Sequence, residues 1–383
     1  MNTFKIVIAP DSFKECLTAL EAAQAIKEGM QHVWPDADYV LVPMADGGEG
    51  TVRSLVDAGE GELITQKVTG PLGKPISAFF GLINNGSTAV IEMAAASGIE
   101  HLTPTERNPL ITTTYGVGEL IRSAMDHGAR HLILGLGGSA TNDGGCGMAQ
   151  ALGARLLNKQ GQELPFGGAA LAQLDSIDLS AIDPRLHELH VEAATDVTNP
   201  LTGQKGASAI YGPQKGASEE EVSQLDHALH NFATVVHDQF GVNIEQIPGA
   251  GAAGGLGAGT LFFLQGKLSP GIDLVIKESK LAQKVIGASL VITGEGKIDG
   301  QTIYGKTPIG VASCAKQQGI PVIALAGSLS EGCNAVLSHG IDALFSVVPG
   351  AVSLEDALKD AKPNIVRTAA NIARVWNLGM HQK

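Results

Sequence analysis

Acidic residues, lysines and glycine turns recur along this chain in one kind of place, directly after a short apolar run and directly before a helical pattern. Segment 45–50, ADGGEG, carries Asp46 and Glu49, whose charges would repel a phosphate unless a cation intervened, so they suit Mg2+ or substrate hydroxyls. A structural account competes: Asp46 caps the following helix and Glu49 favours the positive end of its dipole. Segment 294–299, GEGKID, poses the same question with Glu295 and Asp299, beside Gly294 and Gly296. Loop 10–17, PDSFKECL, adds Asp11, Ser12 and Lys14. Carboxylates on successive βα loops all fall at the carboxyl edge of one sheet, where α/β proteins bind ligands.

Glycine turns at helix starts offer unpaired N–H groups and a partial positive charge to anions. Segment 135–145, GLGGSATNDGG, supplies Gly137, Gly138, Ser139, Thr141 and Asn142 to such a turn. It also satisfies G-x-G-x-x-A, but a dinucleotide site wants an acidic residue about twenty positions on, and position 155 is arginine. A phosphate- or carboxylate-cradling turn is preferred over an NAD site. Segment 300–307, GQTIYGKT, fits the P-loop expression, yet the strand read over 289–293 ends about seven residues too early, so the match is taken as chance. Lys306 still precedes Pro308, a good first helical residue, and its ammonium could meet a phosphate at that helix start. Asp196 and Asn199 follow the strand HVEAAT, where an aspartate either forms a turn or does chemistry. His187 with His190, and His227 with His230, sit among Glu, Gln, Asp and Asn and read as solvated faces rather than metal ligands. There is no G-x-S-x-G elbow, which disfavours a serine hydrolase.

The elements that must hold these groups read as βαβ units at both ends of the chain. Residues 4–9, FKIVIA, form a short buried strand, and Thr18 with Glu21 makes a capping box before ALEAAQAIKEGM. YVLVPM and TVRSLVDAG repeat the strand and helix, as do SLVITGEGKID, VASCAKQQG, PVIALAGS and ALFSVVPG later on. Between them the texture changes. Residues 68–93 offer short strands with turns at GPLGKP and NNGS, which reads as antiparallel, followed by a helix over 116–127, the strand HLILGL, a helix from Gly147 and the strand LHVEAAT. The expected organisation is therefore an α/β parallel-sheet domain over 1–64 and 286–383, with a second mixed α/β domain over 65–285 inserted in it. The small-residue run 248–260, PGAGAAGGLGAGT, is expected to be a packed turn or helix rather than a linker, because apolar FFLQG follows at once.

The bulk numbers set limits. At 383 residues the chain has room for two domains of roughly 100–200 residues. A net charge of −13 disfavours nonspecific binding to nucleic acid or an anionic membrane, since both require a basic surface. The start, MNTFKIVIAPDSF, lacks a basic segment followed by a long apolar one, and no apolar run reaches about 18 residues, so a cytoplasmic protein is expected. Cys16, Cys146, Cys314 and Cys333 lack C-x-x-C spacing and are expected to be reduced thiols.

The blocks IAPDSFKE, PMADGGEGT, VIEMAAASG, GLGGSATNDGG, ATDVTNPL, GPQKGAS, GAGAAGGLG and TGEGKID with GKTP resemble the type I glycerate kinases, in order and over nearly the whole chain. The resemblance implies an ATP-dependent kinase acting on D-glycerate to give 2-phosphoglycerate, with a flavodoxin-like, Rossmann-like domain, a second domain inserted in it, and a cleft between them. Individual roles do not come with the resemblance; residue chemistry suggests them. Asp196 is the expected general base, and Lys14 and Lys306 are the expected charge-neutralising lysines. Asp46, Glu49, Glu295 and Asp299 are the expected Mg2+ ligands. Substrate and phosphates fall to Asp11, Ser12, Gly47, Gly48, Gly137, Gly138, Ser139, Thr141, Asn142, Asn199, Gly294 and Gly296. ATP and Mg2+ are the expected cofactors and D-glycerate the partner, with a homo-oligomer left open. The competing readings are an NAD-dependent sugar-acid dehydrogenase and a hinged binding protein without turnover.

Overall fold

The structure is a computed structural model that describes residues 4–380. The first three residues of the start MNTFKIVIAPDSF, and residues 381–383, lie outside it. Backbone packing divides the chain into two units: Met1–Asp46, Arg53–Glu60 and Ile272–Lys383 form the first, Gly47–Val52 and Gly61–Gly271 the second.

In the first unit short β-branched runs become the strands of one sheet. Its order is Ala343–Ser346, Val322–Leu329, Leu290–Ile298, Lys5–Ile8 and Asp38–Leu41. Every pairing is parallel. Parallel strands covered on both faces need near-continuous apolar sequence, and Ile6, Val7, Ile8, Leu290, Val291 and Ile292 are fully buried. The helix Ala19–Gln31 starts where the capping box put it. Thr18 Oγ accepts from the Glu21 N–H at 3.2 Å, and the Glu21 carboxylate accepts from the Thr18 N–H at 2.8 Å. Its alanine-rich face packs on the helix Ala361–Met380. The chain leaves Lys5–Ile8 toward one side of the sheet and returns in Leu290–Ile298 on the other, which makes these two neighbours the topological switch point.

One sequence expectation changes here. Residues 294–298 are not a loop: the strand runs on from Leu290 to Ile298, with Glu295 opposite Ala326, Lys297 opposite Ser328 and Ile298 opposite Leu329. Glycines and charges in GEGKI mask a strand that its partner Val322–Leu329 stabilises through the ladder.

The second unit holds a six-stranded mixed sheet. Lys267–Ser269, His190–Ala194, His131–Gly135 and Thr88–Glu92 are parallel; Pro75–Ile83 and Glu62–Thr69 complete it antiparallel. Arg155–Leu157 pairs with Ser176–Asp178 in a separate antiparallel ribbon. A dinucleotide fold would place a parallel strand there, so the G-x-G-x-x-A match lacks its context.

The small-residue run is packed, as its neighbours suggested. Residues 252–263 are assigned helical, with left-handed backbone at Ala253, Gly254 and Gly255. A Cβ on Gly254 would lie 1.9 Å from the Thr141 carbonyl oxygen, and the Gly144 N–H donates to the Gly254 carbonyl at 3.0 Å. Only glycine lets this backbone approach the GSATND turn so closely.

Candidate functional site

Two groups of polar side chains stand out, one in each unit. In the first unit the switch point collects Asp11, Asp46, Glu295, Lys306, Thr302 and Thr307. Asp11 follows the first strand; its N–H donates to the Gly294 carbonyl at 2.8 Å, and its carboxylate accepts from the Ser12 N–H at 2.6 Å and from the Thr307 hydroxyl. Glu295 is 8% exposed, accepts from the Thr302 hydroxyl at 2.8 Å and lies 3.8 Å from the Lys306 ammonium. Burial, then the charge of Asp46, raises the Asp11 carboxyl to about 6, against the hydrogen bonds from Thr307 and Ser12. Burial raises Glu295 to about 7; Thr302 and Lys306 oppose this, while Asp11 and Asp46 add to it. The edge thus holds more negative charge than it can comfortably bury.

Lys306 occupies the N-cap position of the helix Thr307–Lys316 without a side-chain capping bond, with Pro308 in the first turn. The longer strand removes the spacing objection to a P-loop, since Gly300 now follows closely on Ile298. Hydrogen bonding supplies a different objection. The N–H groups of Gly300, Gln301, Thr302 and Tyr304 already donate to Glu331, Asp299, Asp299 and Gln301, so the loop is no open cradle for phosphate. Asp299 is spent on that turn and on Lys297 at 3.1 Å, and these partners hold its carboxyl below the usual range. Lys14 is exposed, Gly294 and Gly296 lie within the strand, and Ser12 stays beside Asp11.

The four expected metal ligands do not all converge: Asp46 and Glu295 meet at the switch point, Glu49 and Asp299 do not join them. Glu49 belongs to the second unit, exposed, and adds its repulsion to Glu92. Glu92 is the residue that accepts from the Val52 N–H at 2.8 Å at the start of the helix Thr51–Gly59, so Asp46, five positions before that helix, is not its cap. Among the described residues, His131, His190 and Glu192 form the one group of three or more such side chains with ligand atoms within 4.8 Å of one another. The parallel register sets His190 beside His131 rather than His187, with Glu192 Oε2 2.8 Å from His131 and 3.7 Å from His190. These histidines open their strands, at the edge opposite the GLGGS turn. His187, His227 and His230 are exposed, as expected.

At that turn the two glycine motifs of the second unit meet. Gly47 has φ +92°, and a Cβ there would lie 2.6 Å from Gly271 Cα and 3.0 Å from Ala194 Cβ. Gly48 lies against Gly137, and Gly138 takes a left-handed φ of +74°. Behind them is a buried polar cluster. Lys215 donates to Ser139 Oγ at 2.8 Å and to the Thr141 carbonyl at 2.7 Å, while the Asn142 amide donates to Ser208 at 2.9 Å. Asp143, also buried, accepts from Thr114, Gly145 and Gly147; burial still pushes its carboxyl up. Thr141 Oγ1 and Asn142 Oδ1 are buried without a hydrogen-bond partner. Lys215 and Asp143 were missed in the sequence, although both lie in quoted blocks, because burial of a lone lysine has no sequence signature.

Asp196 is exposed and accepts from the Gly271 N–H at 3.1 Å. The Asn199 amide is taken at both ends, donating to the Lys205 carbonyl at 2.8 Å and accepting from the Tyr211 hydroxyl at 2.7 Å. Asn199 thus ties its loop together.

Comparison with known proteins places this arrangement. The model of the glycerate kinase family matches residues 6–377. Glycerate kinase of Bacillus subtilis (strain 168) is 59% identical over 370 residues, 96% of this chain and 97% of its own. Glycerate 2-kinase of Escherichia coli (strain K12) is 51% identical over 376 residues, 98% of this chain and 99% of its own. The crystal structure of a candidate glycerate kinase 2 from Salmonella typhimurium LT2 superposes with a TM-score of 0.92 at 51% identity, covering 99% of this chain and 100% of that one. With a parallel-sheet unit, a mixed-sheet unit and relatives matched end to end, the chain belongs to the glycerate kinase family.

Proposed function

We propose that this enzyme transfers the γ-phosphoryl group of ATP to the 2-hydroxyl of D-glycerate, giving 2-phosphoglycerate and ADP. The observation that carries the reading is end-to-end similarity at 51% identity to a protein named glycerate 2-kinase. The site chemistry supports it, since phosphoryl transfer asks the protein for positioning and charge neutralisation more than for covalent chemistry.

The crowded carboxylates Asp11, Asp46 and Glu295 fit Mg2+. Burial, with their mutual repulsion added to it, raises Asp11 and Glu295, and a divalent cation would offset both. Their failure to form a closed three-ligand set suits an ion that keeps waters and takes phosphate oxygens. When bound, the ion would neutralise charge on the nucleotide phosphates. Lys306, at the same edge and tethered loosely to Glu295 at 3.8 Å, is free to turn its ammonium to a phosphate oxygen. Lys14, exposed in the Asp11 loop, adds a second cation. The turn of Gly137, Gly138 and Ser139 receives the acceptor acid. Asp196 remains the proposed base: an exposed carboxylate at a strand end that accepts from the Gly271 N–H.

No helix among the described residues is long and apolar enough to cross a membrane, and the four cysteines are free thiols. Both accord with work in the cytoplasm, where ATP is supplied. The test is to incubate the protein with ATP, Mg2+ and D-glycerate and resolve the products by phosphorus NMR. A 2-phosphoglycerate signal is expected, with glycerol a poor substrate. Only 3-phosphoglycerate, or equal turnover of glycerol, overturns the reading.

A further inference from the structure

Lys215 ends a single 3-10 turn, Pro213–Lys215, and is 2% exposed. A charged lysine can only donate. A hydroxyl that accepts from it must therefore aim its own proton elsewhere, and among the described residues no acceptor takes the proton of Ser139. Ser139 keeps 9% of its surface, on the rim of the glycine turn. The arrangement is a donor facing out with a positive charge behind it. The Asn142 Oδ1 and Thr141 Oγ1 atoms in the same cluster, both buried and without partners, are a second sign that a polar ligand completes it.

Resting on the glycerate reading above, we propose that Ser139, backed by Lys215, is the carboxylate-recognition element for the acceptor acid. Ser139 donates its proton to the carboxylate; Lys215 is a positioning residue that orients that hydroxyl and supplies the balancing charge. Neutral polyols have no charge to exchange for the cost of keeping Lys215 protonated in a dry site, so the pair selects acids over alcohols.

The charges around Lys215 fit this role. Burial lowers its ammonium to about 7, and Asp143 alone among the charged groups pulls it back up. Arg107 is engaged with the neighbouring Gln214 carbonyl at 3.3 Å, and the Cys146 thiol beside Asp143 is pushed up by burial and stays neutral. An anion at Ser139 favours the protonated lysine, so anion affinity is strongest below about 7 and weakens as the pH rises.

The experiment is calorimetric titration of the intact enzyme, without nucleotide, with D-glycerate and with glycerol between pH 6 and 9. Wild-type protein is expected to bind D-glycerate but not glycerol, with affinity falling by up to about tenfold per pH unit above neutrality as one proton is taken up on binding. Ser139→Ala should weaken D-glycerate roughly ten- to hundredfold, the loss of one hydrogen bond to a charged group. Lys215→Met should weaken it and flatten the pH dependence; Ser139→Ala covers the case in which Lys215→Met does not fold. Unchanged D-glycerate affinity in Ser139→Ala, or a pH slope that survives in Lys215→Met, overturns the proposal. So does loss of ADP binding with D-glycerate binding intact, or phosphoserine at position 139 after turnover, which would make Ser139 a nucleophile. Wild-type protein that binds no D-glycerate breaks the acceptor reading instead, and acetate titrated in its place then tests the Ser139–Lys215 pair by the same slope.

Discussion

The two units bury ionisable groups in different balance: carboxylates crowd together in the first, while in the second a lysine shares its surroundings with one carboxylate. The first crowds Asp11, Asp46 and Glu295 at its switch point with Lys306 as a loose counter-ion. The second buries Lys215 among neutral hydroxyls, with Asp143 tied to backbone donors. Burial strains both groups, and the proposals above assign each the opposite ligand: a cation with phosphates at one, a small anion at the other. A folded-state pKa displaced by burial reports what a site is prepared to bind.

The largest effect should come from Asp196→Asn. If Asp196 is the base, kcat falls by about 10²–10⁴-fold in steady-state assays while nucleotide binding persists, because asparagine can still accept from Gly271. Unchanged turnover would return Asp196 to a turn-forming role. Next, Lys306→Met should cost about 2.7–4 kcal/mol of transition-state stabilisation, read as kcat/KM for ATP. A variant with wild-type kinetics would show that the first unit's edge works without it.

Backbone closeness ranks third. Gly254→Ala, with its Cβ on the Thr141 carbonyl and φ at +65°, should destabilise the second unit by at least about 2 kcal/mol in urea unfolding, and loosen the Ser139 turn with it. A neutral outcome would mean the turn can shift.

The pH response sharpens the contrast most directly. Glu295 has a folded pKa of about 7, above its unfolded 4.5, so its contribution is fully present below 4.5 and lost as pH rises through 7. Asp11, raised from 3.8 to about 6, acts the same way. Lys215 is lowered from 10.5 to about 7, so the unfolded chain binds more protons between these values and stability rises with pH there. Hydrogen exchange of strand amides, without Mg2+ or substrate, should therefore show the first unit weakening from pH 5 to 7 and the second strengthening from 7 to 9, above which the buried Cys146 opposes it. Glu295→Gln should reduce the first trend to the part that Asp11 contributes, and Lys215→Met should abolish the second; parallel slopes in both units would break the comparison. Smallest of all, Asp299→Asn should shift stability by about 0.5 kcal/mol or less and leave the proposed Mg2+ dependence untouched, since its carboxylate serves its own exposed turn.

How much of this was legible beforehand depended on range. Local rules read the Thr18 capping box, the short apolar strands, the antiparallel turn to Pro75–Ile83 and the packed glycine run, because each depends on residues within a few positions of one another. Motif blocks identified the family for the same reason. The sequence misled where a ladder outvoted composition: GEGKI reads as a loop, yet Val322–Leu329 beside it supplies the hydrogen bonds that extend it as strand. It also grouped Asp46 with Glu49, three positions apart, whereas the fold sends Asp46 to Asp11 and Glu295 and leaves Glu49 near Glu92. By itself, then, the sequence determined the elements, their order and the chemical inventory, since propensity, capping and periodicity act over short distances. Only the tertiary structure decided which charges are desolvated and which face one another. Lys215 shows why: its ammonium meets Ser139 from 76 positions away, and nothing near either residue reveals that water is excluded between them.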